Sequence, residues 1–203
     1  MKIKQSDLSS AEYWTNYRAI PWYVEYVNLY DFLAQQFQNG DIFVEIGGLL
    51  GKSAAYMGRR TADMRKDVTT IVVDNLCGLP DPAYVIEGTE LAKAMLDNFV
   101  AAGVEKRCHL LTMSSPDAAA LFADKSLAAV YVDGDHSYEG AKADILAWWP
   151  KIRPGGYMCG HDYVPNMSGV VRAVTEIFGG NVETLPVRVV PVASTFSVRK
   201  PAI

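Results

Sequence analysis

The sequence of 203 residues is poor in cysteine and has no long apolar run, and each absence excludes a class of protein. Its three cysteines, Cys77, Cys108 and Cys159, are odd in number and scattered, so they indicate neither a disulfide framework nor a zinc site. No apolar stretch approaches the roughly 18 residues of a membrane-spanning helix. Residues 1–10 have no apolar segment typical of a signal peptide. We therefore expect a cytoplasmic protein that does not bind membranes.

The sequence also lacks a strong excess of one sign of charge. The formal net charge is only −4, and no run of like charges forms a tail. This balance is atypical of a nucleic-acid-binding surface, so we expect no nucleic-acid partner. The length favours a single domain, with residues 1–40 as an N-terminal helical cap and residues 41–203 as the α/β core. Aromatic residues of the cap, such as Trp14 and Trp22, are candidates for a homodimer contact.

Strand and helix patterns alternate along the core. Apolar, β-branched segments predict strands at 41–48, 69–75, 107–115, 127–135 and 155–163. Helical periodicity predicts helices within 10–38 and at 53–65, 88–102, 138–149 and 168–178. We expect Ser53 and Ser168 to cap their helices and Lys52 to be solvated. Residues 187–192 and 195–200 predict a terminal hairpin or two edge strands.

This alternation is typical of an α/β fold with a mostly parallel sheet. We predict a Rossmann-like, doubly wound sheet of seven strands, with a C-terminal antiparallel hairpin and an N-terminal helical extension. In such sheets, ligands bind at the carboxyl ends of the strands, near the point where the strand order reverses. Functional residues should therefore follow the strands directly.

Glycine is missing from a position where two nucleotide-binding motifs require it. The segment VEIGGLLGKS (44–53) ends in Gly51-Lys52-Ser53, which is typical of a triphosphate-binding loop. That loop needs a glycine at position 46, and so does a dinucleotide fingerprint built on Gly48 and Gly51. Ile46 stands there, so the sequence disfavours both a triphosphate-binding protein and an NAD-dependent oxidoreductase.

A different set of residues follows the first three predicted strands. Glu45 precedes the turn glycines Gly47 and Gly51, and Asp74 ends the second strand. The carboxylate of Glu45 suits an ammonium group, and that of Asp74 suits the hydroxyls of a ribose. Apolar and hydroxyl side chains after the third strand suit a flat base. The remaining candidates for this nucleoside-binding set are Ser53, Asn75, Met113, Ser114 and Ser115.

The ordered motifs of the chain resemble those of class I S-adenosylmethionine-dependent methyltransferases. Over residues 40–200 the chain is similar to the branch that carries VDGDHSYEG (132–140) followed by PGGYMCGHDY (154–163), which is related to O-methyltransferases of sugars and antibiotics. The resemblance implies S-adenosyl-L-methionine as the cofactor and a small molecule as the methyl acceptor. Family members often have Thr or Ser in place of Gly48 and Arg in place of Lys52.

Acidic and histidine side chains follow the fourth and fifth predicted strands. An oxygen acceptor must lose a proton on methylation, and Asp133, His136 and His161 are the candidate catalytic groups. Asp133 also belongs to the predicted cofactor-binding set. The resemblance implies that Asp133, His161 and Asp162 hold a divalent metal such as Mg²⁺. An imidazole ligand favours a softer metal, or none.

Several alternatives stay open at this point. His136 can form a hydrogen-bonded turn with Tyr138, and Asp135 and Asp162 can be turn residues. The alternative function is a cofactor-binding or regulatory module without catalysis, and an NAD-dependent oxidoreductase is a further one. Residues 1–40 and 77–88 are the expected covers of the acceptor pocket.

Overall fold

The computed structural model describes residues 23–77, 88–179 and 195–202, and these residues form one six-stranded sheet with helices on both faces. Its strands are β1 (Asp41–Ile46), β2 (Val68–Asp74), β3 (Cys108–Thr112), β4 (Leu127–Val132), β5 (Ile152–Gly160) and β6 (Phe196–Arg199). Its helices are α1 (Tyr23–Gln36), α2 (Lys52–Asp63), α3 (Gly88–Ala101), α4 (Ser115–Ala119), α5 (Tyr138–Trp148) and α6 (Ser168–Phe178), with a 3₁₀ turn at Trp149–Lys151.

The strand order places a crevice at the carboxyl end of β1. The order is β3-β2-β1-β4-β5-β6, in which β1 to β5 run parallel and β6 pairs antiparallel with β5. The chain builds outward from β1 to β3 and then returns to add β4 on the other side of β1. The loops after β1 and β4 therefore diverge to opposite faces, and a ligand fits between them.

Burial on both faces explains the apolar strands. Every residue of β4 (LAAVYV) is buried, as expected for a central parallel strand. On one face, β1 and β4 pack with α5 and α6 around the fully buried Trp148. On the other face, Phe43 and Tyr131 contact Tyr30 of α1 in edge-to-face geometry. The two layers hold the carboxyl edge of the sheet in a fixed shape.

The mixed α/β fold with a mostly parallel sheet and a C-terminal antiparallel pair is confirmed. The described residues contain six strands, whereas we predicted seven. Residues 187–192, which we predicted as a hairpin strand, lie outside the described residues, as do residues 1–22 of the N-terminal extension. No helix in the described ranges is long and apolar enough to cross a membrane.

Differences from the sequence predictions include two strand boundaries and one helix cap. The predicted third strand ends early because Ser114 and Pro116 start the short helix α4. The strand β5 begins at Ile152, before Gly155, with a register irregularity against β4. The prediction that Ser168 caps a helix is wrong, because Ser168 is the first residue of α6 and Met167 precedes it.

Replacement of Leu33 by alanine tests the docking of α1 on the sheet. Leu33 is fully buried, so Leu33→Ala should lower the free energy of unfolding by about 2–5 kcal/mol. Leu96 of α3 is 47% exposed, so the control Leu96→Ala should change the free energy of unfolding by less than about 0.5 kcal/mol. Urea denaturation measures both, and similar losses in the two variants would contradict the packing of α1.

Candidate functional site

A cleft of about 750 Å³ lies at the carboxyl edge of the sheet. Its volume is in the range of small-molecule and cofactor sites. The walls come from the turn after β1 and from the segments after β2, β3 and β4. The residues predicted from sequence that line it are Gly47, Ser53, Asp74, Asn75, Met113, Ser114, Ser115, Asp133 and His136.

Gly47 is the point where the turn after β1 meets the end of β4. Its φ of +78° favours glycine, and a Cβ there would lie 2.2 Å from the carbonyl oxygen of Asp133. The Gly47 amide donates to the carbonyl of Val73 at 2.9 Å, and the Asp133 amide donates to the carbonyl of Ile46 at 2.9 Å. The floor of the cleft is therefore backbone from three adjacent strands. Gly51, which precedes α2 with a φ of +71°, packs against Met95 behind that floor.

Asp74 holds the glycine turn from the side of β2. Its Oδ2 accepts hydrogen bonds from the amides of Gly48 (2.9 Å) and Leu49 (3.2 Å), and its Oδ1 accepts one from Leu76 (2.7 Å). These amides resemble an anion-binding loop, but a carboxylate of the chain already occupies them. A carboxylate has about four acceptor positions, so Asp74 keeps capacity for a hydroxyl in the cleft.

Glu45 lies behind the turn and is 1% exposed. Its carboxylate accepts hydrogen bonds from the hydroxyls of Ser53 and of Tyr30, the latter at 2.9 Å. Burial raises the pKa of Glu45 to about 8, although these hydrogen bonds lower it. Glu45 does not line the cleft, whereas Ser53 does. The pairing of Glu45 with an ammonium group stays a prediction. In the structure, the Glu45 carboxylate orients the Ser53 hydroxyl.

The start of α2 differs from what we expected. The prediction that Ser53 caps this helix is wrong, because Gly51 is the N-cap and the Ser53 hydroxyl donates to Glu45. The prediction that Lys52 is solvated is also wrong. Lys52 is 6% exposed and lines the cleft, and burial lowers the pKa of its ammonium group to about 8. The position of Lys52 directly after the glycine turn, at the carboxyl end of β1, was a sequence signal that it could line the cleft.

Hydroxyl side chains after β3 line the opposite end of the cleft, with Met113 beside them. The Ser114 hydroxyl donates to Asp117, and the Ser115 hydroxyl accepts from the indole of Trp148 at 2.9 Å. Sequence reasoning missed Asp144 of α5, which is 5% exposed and lines this end. Burial raises the pKa of Asp144 to about 6. Its position three residues after the buried Ala141 places it on the inner face of α5, which was a usable signal.

The loops after β4 and β5 bring two carboxylates and two imidazoles together. Ligand atoms of Asp133, His136 and Asp162 lie within 4.8 Å of one another. The Nε2 of His136 is 3.1 Å from Asp162 Oδ2 and 3.6 Å from Asp133 Oδ1. The Nδ1 of His161 is 3.2 Å from Asp162 Oδ1 and 3.8 Å from Asp133 Oδ1. The tightest group thus contains His136, whereas the predicted metal set contained His161.

The charges of this group shift its protonation equilibria. The hydrogen bond with Asp133 raises the pKa of His136, burial opposes this, and the nearby carboxylate charges add to it. Burial tends to raise the pKa of Asp162, but the hydrogen bond from His161 and the two imidazole charges hold it below its usual value. Asp162 also adopts a φ of +56°, which is uncommon for a residue with a Cβ. Strain of this kind is frequent at functional sites.

Two neighbours of this group have structural roles. The Asp135 carboxylate accepts from the Ser137 amide at 2.8 Å and packs against Gly140, so Asp135 forms the turn that starts α5, as predicted. The Tyr138 hydroxyl donates to Glu176, and Lys142 donates to it. The alternative of a His136–Tyr138 hydrogen-bonded turn therefore has no support from the contacts of Tyr138.

A family model described as a methyltransferase domain matches residues 44–163, which is more than half of the chain. No curated protein matches the sequence.

Solved structures share the fold at low sequence identity. A Corynebacterium glutamicum protein is 17% identical with a TM-score of 0.68, and the match covers 98% of this chain and 91% of that one. An O-methyltransferase from Bacillus cereus in complex with SAH is 16% identical with a TM-score of 0.62, at coverages of 98% and 92%. CalS11, a TDP-rhamnose 3′-O-methyltransferase of calicheamicin biosynthesis, is 18% identical with a TM-score of 0.63, at coverages of 98% and 88%.

Alanine substitution of two glycines tests the contact between the β1 turn and β4. Gly47→Ala should destabilise the protein by more than the roughly 1–2 kcal/mol that left-handed backbone costs a residue with a Cβ, because the new Cβ meets the Asp133 carbonyl. Gly40 has a similar φ of +85°, and no atom lies within 4 Å of a Cβ added there. Gly40→Ala should therefore lower the free energy of unfolding only by the cost of the left-handed backbone. Urea denaturation compares them, and equal losses would contradict the contact.

Proposed function

We propose that this chain, which belongs to the methyltransferase-domain family, transfers a methyl group from S-adenosylmethionine to an oxygen atom of a small molecule such as a sugar. The family match confirms the methyltransferase resemblance of the motifs in residues 44–163. The observation that carries the proposal is the cleft itself, in which Asp74 occupies the turn amides and Asp133 and His136 line the same space. Asp133 and His136 form, with His161 and Asp162, the acid–histidine group.

The charge of the cleft favours this cofactor over a phosphate-containing one. Asp74, Asp133, Asp135 and Asp144 line the cleft. A cationic sulfonium is attracted by such a wall, whereas the phosphates of ATP or NAD are repelled. The amides of Gly48 and Leu49, which a phosphate would need, donate to Asp74 instead. The residues present therefore fit S-adenosylmethionine.

Each part of the cofactor has a matching part of the wall. Asp74 and Asn75 would hold the ribose hydroxyls, since they end β2 and line the cleft. Met113, Ser114 and Ser115 would flank the adenine. The backbone floor at Gly47 would lie under the amino-acid part, close to Asp133. This order leaves the sulfonium near the ends of β4 and β5.

The acid–histidine group fits the chemistry of an oxygen acceptor. S-adenosylmethionine supplies an electrophilic methyl group, and the acceptor hydroxyl must give up its proton. His136 lies between Asp133 and Asp162, which orient its ring and stabilise its protonated form. His161 contacts the same two carboxylates from the β5 side. We assign proton removal to this group and alignment of donor and acceptor to the surrounding walls.

The same group fits a divalent cation. Asp133, His136 and Asp162 would hold it, with His161 beside them. A bound cation would lower the pKa of an acceptor hydroxyl. Imidazole nitrogen with carboxylate oxygen suits Mn²⁺, Fe²⁺, Co²⁺ or Zn²⁺ better than Mg²⁺, which prefers oxygen ligands throughout.

The comparisons support oxygen as the acceptor atom and a sugar as the acceptor class. The Bacillus cereus neighbour and CalS11 are both described as O-methyltransferases, and CalS11 is a TDP-rhamnose 3′-O-methyltransferase. A module without catalysis would bind the cofactor but would not need the acid–histidine group.

Binding of the cofactor tests the first half of the proposal. S-adenosylmethionine and S-adenosylhomocysteine should raise the melting temperature of the protein, and NAD and ATP should not. Asp74→Asn should reduce the free energy of S-adenosylhomocysteine binding, measured by calorimetry, by about 2–3 kcal/mol, because charge-assisted hydrogen bonds are lost. Asp97→Asn, which removes an exposed carboxylate paired with Lys93, is the matched control and should have no effect. Unchanged affinity in Asp74→Asn would refute the ribose assignment.

Removal of one carboxylate of the acid–histidine group tests the second half. Asp162→Asn should reduce release of S-adenosylhomocysteine on a panel of sugar acceptors by roughly 10²- to 10⁴-fold, and it should leave the cofactor affinity unchanged. It should also abolish calorimetric binding of Mn²⁺. Asp124→Asn is the matched control, because Asp124 precedes β4 at the amino ends of the parallel strands and pairs with Lys151. Full activity in Asp162→Asn would refute the catalytic role of this group, whereas cofactor binding without release of S-adenosylhomocysteine by the wild-type protein would favour the module without catalysis.

A further inference from the structure

The first turn of α6 packs directly on the loop that contains His136. Gly169 is the second residue of α6, and a Cβ built on it would lie 2.5 Å from the carbonyl oxygen of His136 and 2.7 Å from the amide nitrogen of Tyr138. Close-packed backbone cannot swing aside as the end of a flexible side chain can. A residue with a Cβ therefore fits at position 169 only if α6 or the His136 loop moves.

The helix itself does not require a glycine at this position. Gly169 has ordinary helical backbone without a positive φ. Glycine is also one of the poorest helix formers, because it loses the most backbone freedom when a helix forms. The close contact with the His136 loop is therefore the structural reason for a glycine here.

Contacts along α5 and α6 prevent the helix from yielding. Val170 is buried in the core that the two helices share. On the surface, Glu176 of α6 accepts hydrogen bonds from the Tyr138 hydroxyl and from Lys142, the latter at 2.6 Å. The loop at 135–137 is partly exposed and has fewer packing constraints. A Cβ at position 169 would therefore displace the loop, and His136 with it.

The same helix is joined to Asp162 by a short series of turns. The Val164 amide donates to the Asp162 carbonyl at 2.8 Å, and the Met167 amide donates to the Val164 carbonyl at 2.8 Å. Met167 is the N-cap of α6, and its carbonyl accepts from the Val171 amide at 3.2 Å. This connection has little slack, so the position of α6 determines the position of Asp162.

Two backbone contacts thus bracket the acid–histidine group. At the sheet, the His161 amide donates to the Val132 carbonyl at 3.0 Å, where β4 and β5 end. Further from the sheet, Gly169 contacts the backbone of His136. The distance of 3.1 Å between His136 Nε2 and Asp162 Oδ2 depends on both contacts.

We propose that Gly169 is a positioning residue for methyl transfer, because the absence of a Cβ lets α6 pack on the His136 backbone and sets the spacing between His136 and Asp162. The inference rests on the proposed function and adds to it a residue that does not line the cleft. Gly169 acts through His136 and supplies no reacting group.

Gly169→Ala and Gly58→Ala form a matched pair of variants. Gly58 lies within α2, away from the cleft lining, and a Cβ there would lie 2.5 Å from the Sγ of Cys108. Both substitutions add a methyl group to a closely packed helix, and both should lower the urea midpoint. Only the methyl group at position 169 meets the His136 backbone, so the pair separates positioning from stability.

NMR spectra of the imidazole nitrogens report the position of His136 without a cofactor or an acceptor. The chain has three histidines, and His109 is exposed on β3, away from α6. Gly169→Ala should shift the His136 signals and leave those of His109 unchanged, whereas Gly58→Ala should leave the His136 signals unchanged. Unchanged His136 signals in a folded Gly169→Ala protein would overturn the inference.

Calorimetry and kinetics extend the comparison to function. In Gly169→Ala, affinity for Mn²⁺ should fall about 10-fold, and release of S-adenosylhomocysteine on the sugar panel should fall about 10- to 100-fold. Affinity for S-adenosylhomocysteine should not change, and Gly58→Ala should keep all three values. Loss of neither Mn²⁺ affinity nor turnover in Gly169→Ala would overturn the positioning role, as would equal losses in the two variants.

Failure of the proposed function would be distinguishable from failure of the inference. If the wild-type protein neither bound S-adenosylhomocysteine nor released it from S-adenosylmethionine, the proposed function would fail. The imidazole spectra would still decide whether Gly169 sets the position of His136.

Insertion of one glycine between Asn166 and Met167 provides a second test if Gly169→Ala does not fold. Pro165 and Asn166 are exposed, and exposed loops tolerate insertions. The longer connection should release Asp162 from α6, shift the His136 signals and lower the Mn²⁺ affinity. Unchanged signals and affinity would overturn the inference.

Discussion

The close approach of Gly47 to the end of β4 is the constraint on which the candidate functional site depends. The hydrogen bonds from Gly47 to Val73 and from Asp133 to Ile46 continue the sheet one residue beyond β1 and β4. At that point only a residue without a Cβ fits against the Asp133 carbonyl. The cleft therefore has a floor of backbone, and the side chains of Asp74 and Asp133 stand on either side of it. A rigid floor fixes the distance between the two acids, which a side-chain floor would not.

Charge determines what this floor can bind. A glycine turn at the start of a helix is usually an anion site, and here the Asp74 carboxylate takes the amides that a phosphate would use. The cleft becomes attractive to cations. Glu45 adds little to this field, because it does not line the cleft and burial raises its pKa to about 8, which disfavours its charged form. Its hydrogen bonds instead connect α1 and α2 through Tyr30 and Ser53.

The sequence predicted the layout of the sheet and the strand ends better than the side-chain contacts. Alternating strand and helix patterns placed Asp74, Asp133 and Asp162 at the carboxyl edge, because that placement follows from chain order alone. The burial of Lys52 and Asp144 depends on which face each helix turns to the cleft, which local patterns specify poorly. The choice between His136 and His161 depends on the path of two loops after β4 and β5, and a positive φ at Asp162 helps to set that path.

Asp133 connects the glycine turn to the acid–histidine group. Its backbone packs on the glycine turn, while its carboxylate faces His136 and His161 at 3.6 and 3.8 Å. A shift of the turn would therefore move the acid–histidine group by a similar amount. Methyl transfer requires donor, methyl group and acceptor in line, and small misplacements cost large factors in rate. Because the glycine turn and the acid–histidine group share this one residue, the sheet itself would set the alignment of the proposed donor and acceptor.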